Sequence, residues 1–341
     1  MSKDQSFQIF RGLAIVAVVA IHAISLASSS SGNFELQSAL IFRQFINFAV
    51  PVFLFISGYF SVKLFNNRND YFRFLESRLT RLLTPYLIWS LAGIILLRNW
   101  HEVKPIEAAI LLLTGQSVGP YYYIVVLLQF TLITPILIKS LTNRFLSAFI
   151  ISLSPISLLI LYGINLFSDG LSFPWYALPC TIWIMFYYWG IYARVKLDDA
   201  WFYKKLPVFI FCLLLCLLLS VIESQYLHER WNDSEFAASQ IKVSSFAASF
   251  CFINVLMGLR KIGIESHFIA RLGDFSFGIY LVHMFLLAPS ISLIDRIPVI
   301  SHFHLAIIAI ATPLTIALCI ALSLLSRKVL GEKMSTQLLG L

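Results

Sequence analysis

Residues 10–22 read FRGLAIVAVVAIH, an arginine, ten residues of which all but Gly12 are apolar, and then a histidine. The run continues to residue 27 with no other charge, which is the length and composition of a membrane-crossing helix. The rest of the chain repeats that pattern. Of its 341 residues 59% are hydrophobic and only 12% are charged. The mean hydropathy is +0.84. Soluble domains are about half apolar and a quarter charged, so this composition excludes them and indicates a polytopic membrane protein. The expected architecture is all-α, a transmembrane helical bundle of about ten spans. They lie near 8–27, 39–62, 82–98, 121–141, 145–166, 174–194, 206–222, 237–258, 271–294 and 304–326. The run 106–114 is too short to cross and reads as a re-entrant or interfacial helix.

Charge sets the orientation. With the N-terminus inside, 19 of the 25 lysines and arginines fall on the cytoplasmic side, from Lys3 and Lys63 to Lys333. Arg43, Arg98, Lys104, Arg230, Lys242 and Arg296 remain outside. This asymmetry places both termini in the cytoplasm. The formal net charge of +8 then reflects basic loops beside anionic lipid rather than nucleic-acid binding. Residues 1–341 read as one transmembrane domain with no appended soluble domain. A secretory signal ending near Ser25-Leu26-Ala27 is the rival reading of the first span, disfavoured by the histidine inside it. The five cysteines lie in apolar runs without metal-ligand spacing, so neither disulfides nor a metal site is expected.

Three clusters carry chemistry. Arg11 and His22 are eleven residues apart, about three helical turns, so they share a face with an axial separation of about 16 Å. The arginine lies at the inner interface and the histidine past the midplane. Ionisable groups inside spans line cavities or pair with something. In the second cluster, residues 76–89 (ESRLTRLLTPYLIW), Arg78 and Arg81 are i, i+3 on a cytoplasm-side helix, with Arg73 nearby. Two guanidiniums so spaced make a forked phosphate receptor. Pro85 is expected to kink that helix or start the span behind it. The third is residues 271–285 (RLGDFSFGIYLVHMF), where His283 lies twelve residues past Arg271 and matches the depth of His22. Ser276 and Tyr280 precede His283 within two turns. Pro51 and Ser57-Gly58 fall inside the second span, where a close backbone approach or a helix break fits, and residues 119–130 (GPYYYIVVLLQF) start the fourth with three tyrosines, Tyr121, Tyr122 and Tyr123, and contain Gln129.

In combination these stretches resemble the acyltransferase-3 family of integral membrane acyltransferases. The resemblance rests on Arg11-x10-His22, Ser57-Gly58-Tyr59, Arg78-x-x-Arg81 with Pro85-Tyr86, and the aromatic start of the fourth span before Pro135. It closes with Ser276-Phe277-Gly278-Ile279-Tyr280-Leu281-x-His283, and so covers the chain from Arg11 to the tenth span. Phe277, Tyr122-Tyr123 and Met284-Phe285 depart from the usual pattern. The resemblance implies O-acylation, usually O-acetylation, of an extracytoplasmic or lipid-linked carbohydrate. The implied donor is cytoplasmic acetyl-CoA, used without a metal, in a bacterial cytoplasmic membrane.

Under that implication the phosphates of acetyl-CoA rest on Arg11, Arg78 and Arg81. The pantetheine arm spans the interval to His22, which serves as general base. His283, with Tyr280, is cast as orienting the acceptor or stabilising the oxyanion, and Ser276 and Tyr122 as supporting residues. The alternative is a transporter or flippase of a lipid-linked sugar or polysaccharide intermediate. It calls for charged pairs at the midplane, internal repeats or broken helices, and these signals are weak in the sequence.

Overall fold

The computed structural model describes residues 4–27, 33–62, 68–98, 101, 103–168, 170–231, 234–297 and 303–341. Lys3 and Lys63 of the charge count lie outside them. The described chain is helical without strands. Among the described residues nine helical segments are long and apolar enough to cross a membrane, from Gln5–Leu26 to Leu305–Leu330. With the charge asymmetry above, this is an integral multi-pass membrane protein. Side-chain exposure agrees: Phe145 and Phe149 on one helix and Phe211, Leu214 and Leu218 on another stand outward at 59% or more, surface that only lipid covers without penalty.

Several expected spans differ in detail. The segment 174–194 becomes helical only at Cys180 and forms a helix of 17 residues, Cys180–Lys196, which falls outside those nine segments and stands at the short end of the length that crosses a bilayer. Pro174 and Pro179 lack the N–H a helix needs, and the chain before Cys180 is a turn in which Trp175 N–H donates to Ser172 O. The third span starts much earlier than residue 82. Its helix Arg68–Leu97 is 30 residues long and runs unbroken through Pro85. The helix Asp199–Trp231 likewise extends to 33 residues and absorbs much of the expected outer loop 223–236. The segment 271–294 is two helices rather than one, as described below. The short run 106–114 is the ten-residue helix Pro105–Thr114, whose Ile106 and Leu113 face outward.

The chain forms two compact units, residues 1–53 with 197–322, and residues 54–196 with 323–341. In the first, we number α1 (Gln5–Ala27), α2 (Asn33–Ile46), α3 (Ala49–Tyr59, which passes into the second unit), and, after the second unit, the helices α9 (Asp199–Trp231), α10 (Ser234–Ala238), α11 (Val243–Ile262), α12 (His267–Asp274) and α13 (Ser276–Asp295). The second holds α4 (Arg68–Leu97), α5 (Pro105–Thr114), α6 (Tyr122–Ser140), α7 (Arg144–Phe167) and α8 (Cys180–Lys196). Helix α14 (His304–Leu330) passes from the first to the second.

Polar side chains stitch the second unit. Tyr187 and Tyr188 of α8 bond Thr134 (2.8 Å) and Ser140 (2.9 Å) of α6, and Ser154 of α7 accepts from Met185 N (3.0 Å). Within apolar surroundings such bonds, rather than the hydrophobic effect, fix helix register.

Candidate functional site

The site is organised by α1, which is unbroken from Gln5 to Ala27 and so keeps Arg11 and His22 on one face. Its inner half touches α12 backbone to backbone. A Cβ at Gly12 would lie 2.1 Å from Ile269 O, and one at Gly273 would lie 1.9 Å from Gln8 O. Each glycine is there because no larger residue fits the crossing. The register, Gly12 with Ile269 and Gln8 with Gly273, shows α12 running back toward the N-terminus of α1. The chain then turns at Phe275 (φ −92°, ψ 0°), and α13 returns along α1 toward His22. Arg271 therefore sits on a separate, oppositely directed helix from His283. The expectation of one continuous span linking them is corrected.

The two histidines meet. Their ring centroids are 5.3 Å apart and tilted by 42°. His22 is partly exposed, whereas His283 is fully buried. His283 Nδ1 lies 2.8 Å from Tyr280 O and 3.1 Å from Ile279 O. Carbonyl oxygens only accept, so Nδ1 carries the proton and Nε2 carries the lone pair. That Nε2 is buried and has no hydrogen-bond partner among the described residues. A buried acceptor left open beside a second imidazole is what a proton-handling pair requires.

The other expected residues distribute as follows. Tyr280 is buried, with its ring 6.3 Å from that of His283. Ser276 is buried at the first turn of α13, two turns below His283. Arg11 Nη1 donates to Gln8 Oε1 at 3.5 Å from a half-exposed position. Arg78, Arg81 and Tyr122 belong to the second unit. There Arg78 donates to Phe60 O (3.3 Å) and covers the Phe74 ring, Arg81 is exposed, and Tyr122 packs edge-on against Phe173 at 5.2 Å.

A second polar cluster escaped the sequence reading. Lys242, counted among the outer charges, is fully buried. Its Nζ donates to Gln44 Oε1 (2.7 Å), Ser245 Oγ (2.9 Å) and Ser220 Oγ (3.3 Å). Asn47 adds a bond to Gln44 Oε1 (3.2 Å) and another to Ala238 O (3.2 Å). Pro51 explains the interruption between α2 and α3. It cannot donate to the carbonyl of Asn47, four residues back, and Ser249 Oγ approaches that oxygen at 3.5 Å. The cluster is tied to α1 through Arg43 Nη1, which donates to Ser25 Oγ (2.7 Å) one turn beyond His22. Arg43, Gln44, Asn47 and Lys242 all fall inside the expected spans, and that was the signal available.

Comparison with known proteins places this architecture. A family model described as an acyltransferase domain, Acyl_transf_3, matches residues 4–324. Relatives from Staphylococcus aureus strains MRSA252 and MSSA476 are named probable poly-beta-1,6-N-acetyl-D-glucosamine export protein. Each is 24% identical over 339 residues, covering 93% of this chain and 91% of the relative. No solved structure matches. The family match takes in every element that builds the histidine pair, from α1 to α13, and the chain belongs to the acyltransferase-3 family.

Proposed function

We propose that the protein transfers an acetyl group from cytoplasmic acetyl-CoA to a hydroxyl of an extracytoplasmic or lipid-linked carbohydrate in a bacterial cytoplasmic membrane. The observation that carries the reading is the His22–His283 pair, with one ring partly open and the other buried in a fixed tautomer. His22 is the general base, being the ring a substrate can reach. His283 is a positioning residue: its open Nε2 beside the His22 ring is the acceptor available to a His22 N–H during the reaction, a contact that would turn the other His22 nitrogen toward the acceptor and spread the charge that develops. With Nδ1–H given to its own helix, His283 has no second N–H in this tautomer to offer an oxyanion, so the positioning role is the one its hydrogen bonds support.

The step balances without a further reactant. The acceptor oxygen attacks the thioester carbon, the C–O bond forms and the C–S bond breaks. His22 takes the hydroxyl proton and returns it to the departing thiolate, giving the O-acetyl ester and CoA. General-base assistance of this kind contributes about 10²–10⁴-fold. Arg11, about 16 Å below His22 on the same helix, is assigned to the phosphates of the donor. Arg78 and Arg81 are assigned to them from their cytoplasmic spacing in the sequence. Tyr280 and Ser276 line the course of α13, and Tyr122 is assigned to the acceptor.

Labelled acetyl-CoA supplied to membranes tests the reading. His22→Ala is expected to lose transfer while retaining CoA binding, and normal transfer by that variant overturns the base assignment. A second reading, export of a polysaccharide, is favoured by the names of the relatives and by the helix interruption at Asn47, a feature of transport proteins. It predicts that deleting the gene traps polymer inside the cell without changing its acetyl content.

A further inference from the structure

The loop before α8 makes little sense as a mere connection. Residues 172–178 are held from several directions. Trp175 N–H donates to Ser172 O (3.0 Å), and Ala177 and Leu178 N–H donate to Pro174 O (2.8 and 2.9 Å). Gln129 of α6 clamps the loop with both ends of its amide, giving Nε2–H to Leu178 O (3.0 Å) and accepting Cys180 N–H on Oε1 (3.0 Å). Trp183 Nε1–H adds a bond to Ala177 O (2.7 Å). Its aromatic rings form an edge-on cluster in which Phe173 meets Tyr122 at 5.2 Å and Tyr176 at 5.9 Å. Pro174, Tyr176 and Ala177 are buried, yet Trp175 is 49% exposed. Ser172, which shares its turn, is exposed as well.

The charge asymmetry puts this loop on the extracytoplasmic side, where the proposed acceptor arrives. We infer that Trp175 and Ser172 form a saccharide-binding subsite, in which a pyranose ring of the acceptor stacks on the indole while the serine hydroxyl bonds a sugar hydroxyl. The inference rests on the proposed function. The chemistry fits: one face of a pyranose is a patch of C–H bonds, which carry the partial positive charge that the negative face of an indole attracts. The mounting fits too. A tryptophan that only anchors a protein at the lipid interface needs no rigid seat. One that selects a rigid ring gains affinity from a loop already fixed in its bound shape.

The test uses membranes containing the full chain, labelled acetyl-CoA, and as acceptor the surface glycan purified from cells lacking the gene. Trp175→Leu keeps the apolar character but removes the aromatic face. It is expected to raise the KM for glycan about tenfold, with the KM for acetyl-CoA unchanged, and Trp175→Phe is expected to recover most of the loss. Ser172→Ala, which alters an exposed hydroxyl alone, is expected to raise the glycan KM by a smaller factor. A glycan KM unchanged in both Trp175→Leu and Ser172→Ala overturns the subsite and leaves Trp175 as a lipid anchor. If the unaltered protein transfers no label, the acetyltransferase reading fails as well, a result distinct from any behaviour of the Trp175 variants.

Discussion

Two buried side chains show how partners decide what a residue can do. His283 donates Nδ1–H to its own helix, leaving Nε2 as an acceptor with no partner among the described residues. His283→Gln keeps an acceptor in the same place and is expected to preserve part of the activity. His283→Leu is expected to lower kcat by one to two orders of magnitude, the range of a general base left poorly set. Label transfer under saturating donor measures both. Lys242 poses a different problem, since an ammonium removed from water among neutral oxygens depends on each of them. Gln44→Leu removes the shortest of the bonds to that charge and is expected to cost about 1.5–3 kcal/mol, as losing a hydrogen bond to a charged group does. Lys242→Met removes the charge and is expected to cost less. The double variant should be more stable than Gln44→Leu alone, which thermal unfolding in detergent reads directly.

Glycine decides the course of α12 and α13 more than hydropathy does. With Gly12 and Gly273 in reciprocal contact with the opposing backbones, α12 lies flat against α1 and α13 starts from a fixed point. The Cβ of either Gly12→Val or Gly273→Val would stand well inside contact distance of a carbonyl that cannot rotate away. Each is expected to lower the thermal midpoint and to reduce activity by parting the histidine rings, although neither residue belongs to that pair. Arg260 supports the same arrangement from below, joining Asp4 before α1 and Asp199 at the start of α9 at 2.7 Å each. Arg260→Ala is expected to loosen the first turn of α1, visible as faster proteolysis near the N-terminus.

The two compact units divide the chemistry expected of the chain. The histidine pair and Arg11 lie in the first, and Arg78, Arg81, Tyr122 and the aromatic loop in the second. Adding CoA to the detergent-solubilised protein is expected to raise its thermal midpoint, since any ligand that binds only the folded state does so. No shift at concentrations that saturate acetyl transfer contradicts the assigned donor. Orientation is open to labelling. A cysteine at Ser172 is expected to react with an impermeant thiol reagent from outside, whereas one at Lys196 reacts only after the membrane is opened.

Hydropathy and charge bias were enough to establish a polytopic helical bundle, and the spacing of Arg11 and His22 a helix carrying an arginine and a histidine on one face. These properties are local or additive: lipid selects apolar length, the cytoplasm selects positive charge, and 3.6 residues per turn set the face. The encounter of His22 with His283, the reversal at Phe275, and the burial of Lys242 depended on the tertiary structure. Each arises where distant segments approach within a few ångströms, at contacts between Gly12 and Ile269 or Gln44 and Lys242 that no single stretch of sequence contains. Pattern reveals which residues are costly to place in a membrane, but only packing decides which of them are placed together.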